Sequence, residues 1–353
     1  MDSPELYSAL TMRKAKHPST ERLLSGEAAV LKRIQRLASG AATRNRALLL
    51  GIGDDAALVK CASGFDEILT CDWFLEGTHF LRDRHPPDSV GWKCLARAVS
   101  DVAAMGGVPR CFLLSLALPV MHTGSWLEKF LGGLRRAANR FGCPLAGGDT
   151  TQRHEILINV TVVGEVRTGH AGLRSGARQG DVLFVSGQLG EAELGLEQIR
   201  RTKGRVNGQD PILRKHLYPE PRLALGRWLR EKRLASAMMD LSDGLSTDLP
   251  RLCKASGVGA RIEASTIPLV HQPKAQRKSG LHLLSLALHG GDDYELLFTV
   301  PRAKLKQVPH SFQGIPIAAI GEITKKRSLV LIDDEGRSAT LPNRGWDPFR
   351  SRR

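Results

Sequence analysis

The spacing of apolar residues predicts three helices in the first half of the chain. Apolar positions recur at helical intervals over 27–38, 92–105 and 127–141. Gly106 and Gly142 directly follow the last two of these segments, and a glycine in that place is a common helix stop. We therefore expect these two helices to end at their glycines.

Short apolar runs bounded by turn residues predict strands. In the first half they cover 47–50, 68–71, 111–118 and 156–163. In the second half they cover 182–186, 260–263, 296–300, 317–323 and 329–332, and helices are expected over 191–200 and 222–234. Because both halves mix helices with strands, the pattern favours an α+β or α/β fold over an all-helical one.

A polar, glycine-rich segment without a period separates the two halves. It covers 167–181 and reads RTGHAGLRSGARQGD, which is typical of a linker. A chain of 353 residues also favours two domains. We therefore expect a basic N-terminal extension over 1–26, a first domain over 27–166 and a C-terminal α/β domain over 167–353.

The apolar runs and the cysteines of the chain indicate its cellular compartment. No apolar run approaches the roughly 20 residues that a membrane span needs, and the first residues contain no apolar signal core. The six cysteines are scattered and form no C-x-x-C pair, so a zinc site or a redox motif is not expected. These features predict a cytoplasmic protein with reduced thiols and no membrane partner.

The formal net charge of +15 indicates anionic partners. Nucleic acid and small phosphorylated substrates both fit that charge. The basic residues are dispersed, however, and aromatic residues make up only 5% of the chain, so no nucleic-acid-binding motif is present. A basic nucleic-acid binder stays an alternative that only the net charge favours.

Aspartates lie in or beside many turns of the chain. The segments read GIGDD (51–55), LTCD (69–72), AVSD (98–101), AGGDTT (146–151), MDLSDG (239–244) and GGDDYE (290–295). A single aspartate of this kind is usually a turn or N-cap residue, and we assign that structural role to Asp54, Asp248 and Asp293. Gathered together, carboxylates repel one another, and Mg²⁺ relieves that repulsion. The set therefore predicts a magnesium site, and with it a nucleotide.

The first glycine-rich turn also fits the spelling of a dinucleotide-binding fingerprint, G-x-G-x-x-A. Its chemistry is wrong for that purpose, because Asp54 and Asp55 would repel a pyrophosphate at the helix start. A Walker A loop is excluded as well, since the chain contains no Gly-Lys dipeptide. Gly147 and Gly148 instead offer backbone N–H groups to a phosphate.

Seven ordered motifs resemble the thiamine-monophosphate kinase family of the aminoimidazole ribonucleotide synthetase-like superfamily. They are GIGDDAAL (51–58), LTCDWFLEGTHF (69–80), AVSDVAAMGG (98–107), AGGDTT (146–151), LRSGARQGD (173–181), MDLSDGLSTDL (239–249) and GGDDYELLFTV (290–300). The resemblance extends from about residue 27 to residue 349. It covers nearly the whole chain.

The resemblance implies a two-domain fold and an activity. The first domain would pair with its mate through a β-barrel-like interface in a homodimer, and the second domain would be α/β. The activity would be ATP- and Mg²⁺-dependent phosphorylation of thiamine monophosphate to thiamine diphosphate. ATP and several Mg²⁺ ions would lie in a cleft lined by acidic loops.

The resemblance also assigns residues to three groups of contacts. The Mg²⁺ ligands would come from Asp55, Thr70, Cys71, Asp72, Asp101, Asp149, Asp240 and Asp243. ATP would contact Phe141, Gly148, Asp149, Arg174 and Ser242. The thiamine substrate would contact His79, Asp292 and Trp346.

Three of these positions depart from the family pattern. Cys71 replaces a frequent threonine, so at most its backbone oxygen would serve a metal. Phe141 replaces a frequent tyrosine and loses a hydroxyl group. Asp292 replaces the usual glutamate and is one methylene shorter. These departures affect single contacts and leave the reaction class unchanged.

No catalytic general base is expected in such a reaction. The acceptor is itself a phosphate, which is mostly dianionic at neutral pH, so direct in-line transfer needs charge neutralisation and positioning instead. Another ATP-using enzyme of the same superfamily, similar to selenophosphate synthetase, is the second alternative. It would need a reactive cysteine in an N-terminal glycine-rich segment, and none is present.

Overall fold

Two β-sheets and the helices around them form the part of the chain that the structure describes. The computed structural model describes residues 48–50, 54, 56–60, 64–270 and 280–349. All of these as far as Trp346 belong to one compact unit. The predicted extension 1–26 and the predicted helix 27–38 lie outside the described residues.

The first sheet has six strands. They are β1 (Leu48–Leu50), β2 (Ala57–Lys60), β3 (Phe65–Leu75), β4 (Val108–Leu118), β5 (Leu145–Gln152) and β6 (Leu157–Arg167). Their order is β1-β2-β3-β6-β4-β5, and every neighbouring pair is antiparallel except β4 with β5. Among the described strands, β5 is therefore an edge strand of the first sheet.

Two long helices cover one face of this sheet. They are α1 (Pro87–Ala104) and α2 (Ser125–Phe141). The two helices approach closely, since a Cβ on Gly91 would lie 2.0 Å from the Phe130 carbonyl oxygen. α2 ends at Gly142, whose φ of 64° is left-handed, so the predicted glycine stop is confirmed. α1 is buried over most of its length because it also contacts the second sheet.

The second sheet contains eight strands. They are β7 (Val182–Ser186), β8 (Ala237–Leu241), β9 (Gly259–Glu263), β10 (Glu295–Val300), β11 (Ser311–Phe312), β12 (Ile315–Thr324), β13 (Leu329–Ile332) and β14 (Ser338–Thr340). The order is β14-β13-β9-β12-β7-β10-β8, with β11 paired to β12. Five helices flank it: α3 (Glu191–Arg201), α4 (Pro211–Leu217), α5 (Leu223–Glu231), α6 (Leu245–Ser256) and α7 (Gly280–His289).

The predicted strands are confirmed, with the apolar runs generally extended by residues at their ends. The segment AGGDTT, expected as a phosphate-binding turn, is instead the middle of strand β5. The glycines hid this strand, because glycine lowers β propensity. The strand β8, spelled AMMDL, was also missed, as was α6, which contains Pro250.

Two predictions from the composition concern membrane-spanning segments and the state of the cysteines. Among the described helices, none combines the length and apolar character needed to cross a membrane. The five cysteines of the described chain are free thiols, and Cys61 lies outside the described residues.

Candidate active site

The inner face of the first sheet presents two predicted metal-side residues to helix α1. Side chains alternate along β3, so Thr70 and Asp72 point to the same face. Asp101, near the end of α1, accepts a hydrogen bond from the Thr70 hydroxyl at 2.5 Å. Thr70, Asp72 and Asp101 therefore lie together between the sheet and the helix.

Helix α1 also reaches the second sheet. The Ser100 hydroxyl donates to Asp240 Oδ2 at 2.7 Å. Asp240 lies in β8 and is only 3% exposed, so the folding of the second sheet fixes its carboxylate. Consecutive residues of α1, Ser100 and Asp101, thus bring the acidic residues of both halves together.

The turn after β8 is held by a buried carboxylate. Asp248 Oδ2 accepts hydrogen bonds from the backbone N–H groups of Ser242 (3.1 Å) and Asp243 (3.0 Å). Arg251 bridges Asp248 and Asp243, with Nη1 at 2.9 Å and 2.5 Å from their carboxylate oxygens. This geometry supports the structural role predicted for Asp248, which orients Ser242 and Asp243.

A second turn, before β10, places Asp292 beside α1. The Asp292 carboxylate accepts from Lys93 Nζ at 2.8 Å and from the Tyr294 hydroxyl at 2.6 Å, and its backbone N–H donates to the Ser242 carbonyl. Both Asp292 (φ 68°) and Tyr294 (φ 49°) adopt left-handed backbone conformations, which are uncommon for such residues. Strained backbone of this kind clusters at functional sites.

Two cations in the interior of α1, Lys93 and Arg97, face these carboxylates. Arg97 lies 3.6 Å from Asp72 and 3.9 Å from Asp292, and its guanidinium lies over the Phe74 ring. Neither cation is among the site residues predicted from the sequence. The available signal was two cations four residues apart within a helix whose neighbouring residues are apolar.

His79 and Trp346 come from opposite ends of the described chain and meet beside this cluster. Their ring centroids are 6.5 Å apart. The Trp346 backbone N–H donates to the Asp243 carbonyl at 2.9 Å, which anchors the C-terminal segment on the turn after β8. His79 Nδ1 accepts from the Leu75 backbone N–H, and burial lowers the pKa of His79 to about 3. The imidazole is therefore neutral at physiological pH.

The carboxylates influence one another electrostatically. Burial raises the pKa of Asp72, and the nearby charges of Asp243 and Asp292 raise it further, while Arg97 lowers it. Burial also opposes ionisation of Asp292, but Lys93 and Arg97 outweigh it and hold the pKa of Asp292 below the ordinary value. The cleft thus contains several carboxylates and two fixed cations.

The register of the first sheet places two other predicted residues on its outer face. Cys71 pairs with Thr161, and Asp149 pairs with Ser115, which in turn pairs with Asn159. Both Cys71 and Asp149 therefore point away from the face that carries Thr70 and Asp72. Within a single chain, Asp149 and Asp72 therefore lie on opposite faces of the sheet.

Three predicted ATP contacts have clear local roles. Gly148 (φ 153°) lies against β4, where a Cβ would come 1.9 Å from the Leu114 carbonyl oxygen, so only glycine fits. Phe141 is buried and packs edge-on against Trp92. The Arg174 backbone N–H donates to the Asp54 carboxylate, which links the interdomain segment to the first glycine-rich turn. Asp55 lies outside the described residues.

The donors that the structure gathers are oxygen atoms, and they fit Mg²⁺. Thr70, Asp72, Asp101 and Asp240 all lie around α1, and hard divalent cations prefer hydroxyl and carboxylate ligands of this kind. Within the described part of the chain, no three side chains from His, Cys, Asp or Glu form a complete metal site. These residues therefore present donors, and further ligands would have to complete the coordination.

Comparison with known proteins identifies the family. Residues 53–166 match the sequence model of the AIR synthase related protein, N-terminal domain, and residues 178–334 match that of the C-terminal domain. Thiamine-monophosphate kinase of Bacillus subtilis (strain 168) is 35% identical over 309 residues, which are 85% of this chain and 94% of the relative. The chain belongs to the thiamine-monophosphate kinase family. The enzyme of Escherichia coli (strain K12) is 37% identical over 304 residues, 85% of this chain and 92% of that protein.

Solved structures of the family share the architecture. AaThiL complexed with AMPPCP and TMP superposes with a TM-score of 0.77 at 31% identity, covering 92% of this chain and 97% of that one. Thiamine-monophosphate kinase from Stenotrophomonas maltophilia K279a gives 0.71 at 32% identity, covering 90% and 99%. The hydrogenase maturation protein HypE, at 20% identity and a TM-score of 0.65, shares the fold alone. The chain has the two-domain, mixed α/β fold of this family.

Proposed function

We propose that the protein transfers the γ-phosphoryl group of ATP to thiamine monophosphate, giving thiamine diphosphate and ADP. The observation that carries the proposal is the cluster around α1, where Asp72, Asp101, Asp240 and Asp292 from both halves of the chain converge. Family membership supports it, since a relative of 31% identity is a complex with AMPPCP and TMP. No observation on the described residues favours the selenophosphate synthetase-like alternative, and only the net charge of +15 favours the nucleic-acid-binding one.

The reaction is a direct in-line displacement. A new bond forms between an oxygen of the acceptor phosphate and the γ-phosphorus, while the bond from that phosphorus to the β–γ bridging oxygen breaks and its electron pair leaves with ADP. No proton has to be removed from the dianionic acceptor, so no catalytic base is needed. The neutral His79, which has no charge to offer, fits a positioning role rather than acid–base chemistry.

Mg²⁺ bound here would neutralise phosphate charge and supply Lewis-acid stabilisation to the transferred group. We assign its ligands to Asp55, Thr70, Asp72, Asp101, Asp149, Asp240 and Asp243, with the backbone oxygen of Cys71 as a further candidate. Thr70 and Ser100 orient the carboxylates of Asp101 and Asp240 by donating hydrogen bonds to them.

The nucleotide and acceptor sides of the site use different residues. Gly148, Asp149, Arg174 and Ser242 form the nucleotide side in this proposal, and Phe141 supports it from the core. His79, Asp292 and Trp346 form the acceptor side. The contact between the His79 and Trp346 rings supports that assignment, because aromatic and imidazole rings offer a surface on which the thiamine rings can stack.

A homodimer is part of the proposal. The outer face of the first sheet exposes Trp73 (55%) and Leu113 (43%), and the register places Asp149 on the same face. Large apolar side chains on a sheet face favour an interface. A second copy packed on this face, with the two sheets forming a barrel-like interface, would bury them and enclose Asp149. The domain limits 27–166 and 167–353 and a cytoplasmic location complete the proposal.

A direct assay tests the function. Purified protein is incubated with ATP, Mg²⁺ and thiamine monophosphate, and thiamine diphosphate and ADP are measured. Equal amounts of both products, dependent on Mg²⁺, are expected. ATP binding without thiamine diphosphate formation would contradict the proposal, and a trapped phospho-enzyme would contradict the in-line step.

A further inference from the structure

Arg97 is a buried cation whose bonding within the chain is incomplete. Its side chain is only 15% exposed, and its Nε atom is sealed from solvent without a hydrogen-bond partner. The contacts with Asp72 (3.6 Å) and Asp292 (3.9 Å) are both longer than hydrogen bonds. Among the described residues, therefore, none accepts a hydrogen bond of ordinary length from the five N–H donors of this guanidinium.

Another buried arginine of the same chain shows what complete bonding looks like. Arg222 donates from Nε to Glu295 Oε2 at 2.7 Å and also from Nη2 to Glu295 Oε1. Such bidentate contacts offset the cost of removing a guanidinium from water. Arg97 has no equivalent partner among the described residues, although it is just as enclosed, and a buried polar group of this kind calls for an explanation.

The neighbouring carboxylates do not supply that explanation. Asp292 already accepts short hydrogen bonds from Lys93 and Tyr294, so Arg97 adds charge near it but no hydrogen bond. Asp72 is one of the proposed metal ligands. A guanidinium held between these two carboxylates, and fixed by the Phe74 ring below it, is placed for a third, anionic partner.

Its position indicates which anion that is. Arg97 lies between Asp72, on the metal side, and Asp292, on the acceptor side. An acceptor whose rings contact His79, Asp292 and Trp346 and whose phosphate extends toward Asp72 has to pass Arg97. A planar guanidinium matches two phosphate oxygens at once.

We propose that Arg97 binds the phosphate group of the acceptor, and so makes the site select the phosphorylated form of thiamine over thiamine itself. The inference rests on the proposed function, because it takes thiamine monophosphate as the acceptor. Arg97 would neutralise part of the acceptor charge and leave one phosphate oxygen for attack. Selection against an acceptor without phosphate follows, since that ligand would leave the buried guanidinium without its partner.

Ligand binding in the absence of ATP tests this role. The affinities of thiamine monophosphate and of thiamine are measured by calorimetry, with Mg²⁺ present, for the wild type, Arg97→Met and Arg97→Lys. In Arg97→Met we expect the affinity for thiamine monophosphate to fall about 30-fold and that for thiamine to change less than about threefold. Arg97→Lys keeps the charge without the bidentate geometry and should recover part of the loss.

Arg302→Met serves as the matched control. Arg302 is an exposed arginine paired with Glu322 at 3.0 Å on the second sheet, and its loss should change neither affinity. Far-ultraviolet circular dichroism and thermal unfolding check that each variant folds. If Arg97→Met does not fold, Arg97→Lys tests the role of Arg97. Its affinity for thiamine monophosphate should then fall more than its affinity for thiamine.

The outcomes separate this inference from the proposed function. A wild type that binds neither ligand contradicts the proposed function. A wild type that binds thiamine as tightly as thiamine monophosphate overturns the role of Arg97. Equal losses for both ligands in the Arg97 variants also overturn it, because Arg97 would then act only by holding Asp72 and Asp292 in place.

Discussion

The two faces of the first sheet carry the same kinds of residue in opposite settings. On the inner face, Thr70 and Asp72 are enclosed by α1, and their oxygens contact Asp101 and Arg97. On the outer face, Cys71 and Asp149 are exposed in the single chain, and so is Trp73. The inner half of the proposed site is thus assembled by folding, whereas its outer half is solvent-exposed in the single chain.

Because of this difference, substitutions on the two faces should differ in their effects on stability and on activity. A buried carboxylate is tied to its neighbours, so changing it affects the fold as well as the chemistry. An exposed carboxylate on an edge strand can change without structural cost. The comparison can therefore be tested by matched substitutions on the two faces.

The largest expected effect is on turnover. Asp72→Asn and Asp149→Asn should each lower kcat by at least about 1,000-fold, because each removes a negative ligand from the proposed metal site. Their thermal stabilities should differ. Asp149→Asn should match the wild type, while Asp72→Asn should shift the melting temperature because Arg97 loses a charged neighbour.

Initial rates with thiamine monophosphate and melting curves without ligand measure both quantities. An Asp149→Asn protein that fails to fold would show that the outer face is structural. Retention of full turnover by Asp72→Asn would remove the inner face from the metal site.

The next largest effect is expected from a comparison of substitutions at two adjacent residues of β3. Thr70→Val removes the hydroxyl that orients Asp101, and we expect kcat to fall about 30-fold, the value of a hydrogen bond to a charged group. Cys71→Ser changes a side chain on the opposite face and should alter kcat less than about twofold. Steady-state kinetics of the pair measure the difference. A larger effect for Cys71→Ser than for Thr70→Val would reverse the assignment of the two faces.

The smallest expected effect is a dependence of stability on pH, and it comes from the buried histidines His85 and His216. Burial lowers the pKa of His85 to about 4 and that of its neighbour His216 well below the ordinary value, with Lys93 adding to both. Below about pH 6.5, His85 is therefore protonated in the unfolded chain but stays neutral in the folded chain. The contribution of His85 to the free energy of unfolding is full above about pH 6.5 and declines as the pH falls toward 4. Between about pH 7.5 and 5.5 it should decline by about 1.4 kcal/mol.

The substitution His85→Asn isolates this contribution. An asparagine side chain at this position can still accept the hydrogen bond from the Leu81 backbone N–H but does not titrate. Urea unfolding at both pH values gives the stability gap between wild type and variant, which should narrow at the lower pH. The opposing influence of Asp293, whose pKa burial raises to about 7, cancels because both proteins carry it. An unchanged gap would mean that His85 titrates normally.

Much of the fold was predictable because local signals agreed with the final packing. Apolar runs such as those of β7 and β13 pack on a sheet, and Gly142 ends α2 as its position indicated. β5 and β8 were not predictable, because glycine and methionine carry no strand signal and only pairing with β4 and β10 makes them strands. Tertiary pairing overrode propensity there.

The site was predictable only in part, for a related reason. Its aspartates lie in recognisable motifs, but Asp72, Asp149 and Asp240 lie within strands rather than in turns. The sheet face to which each strand residue points depends on register, and no local signal separates Cys71 and Asp149 from Thr70 and Asp72. Lys93 and Arg97 were missed because a charge within a helix is usually solvent-exposed. Only the burial of α1 between two sheets turns them inward.

Helix α1 has one more consequence, and it concerns distance. Lys93, Arg97 and Asp101 recur at intervals of four residues, with Ser100 three residues after Arg97, so they form one stripe along the helix. With a rise of about 1.5 Å per residue, Lys93 and Asp101 are separated by about 12 Å along the axis. In the proposed function, the helix thereby holds Lys93, beside Asp292 on the acceptor side, at a fixed distance from Asp101, among the proposed metal ligands. Because a helix does not stretch, small movements of the two domains would displace both groups together and preserve the distance between them.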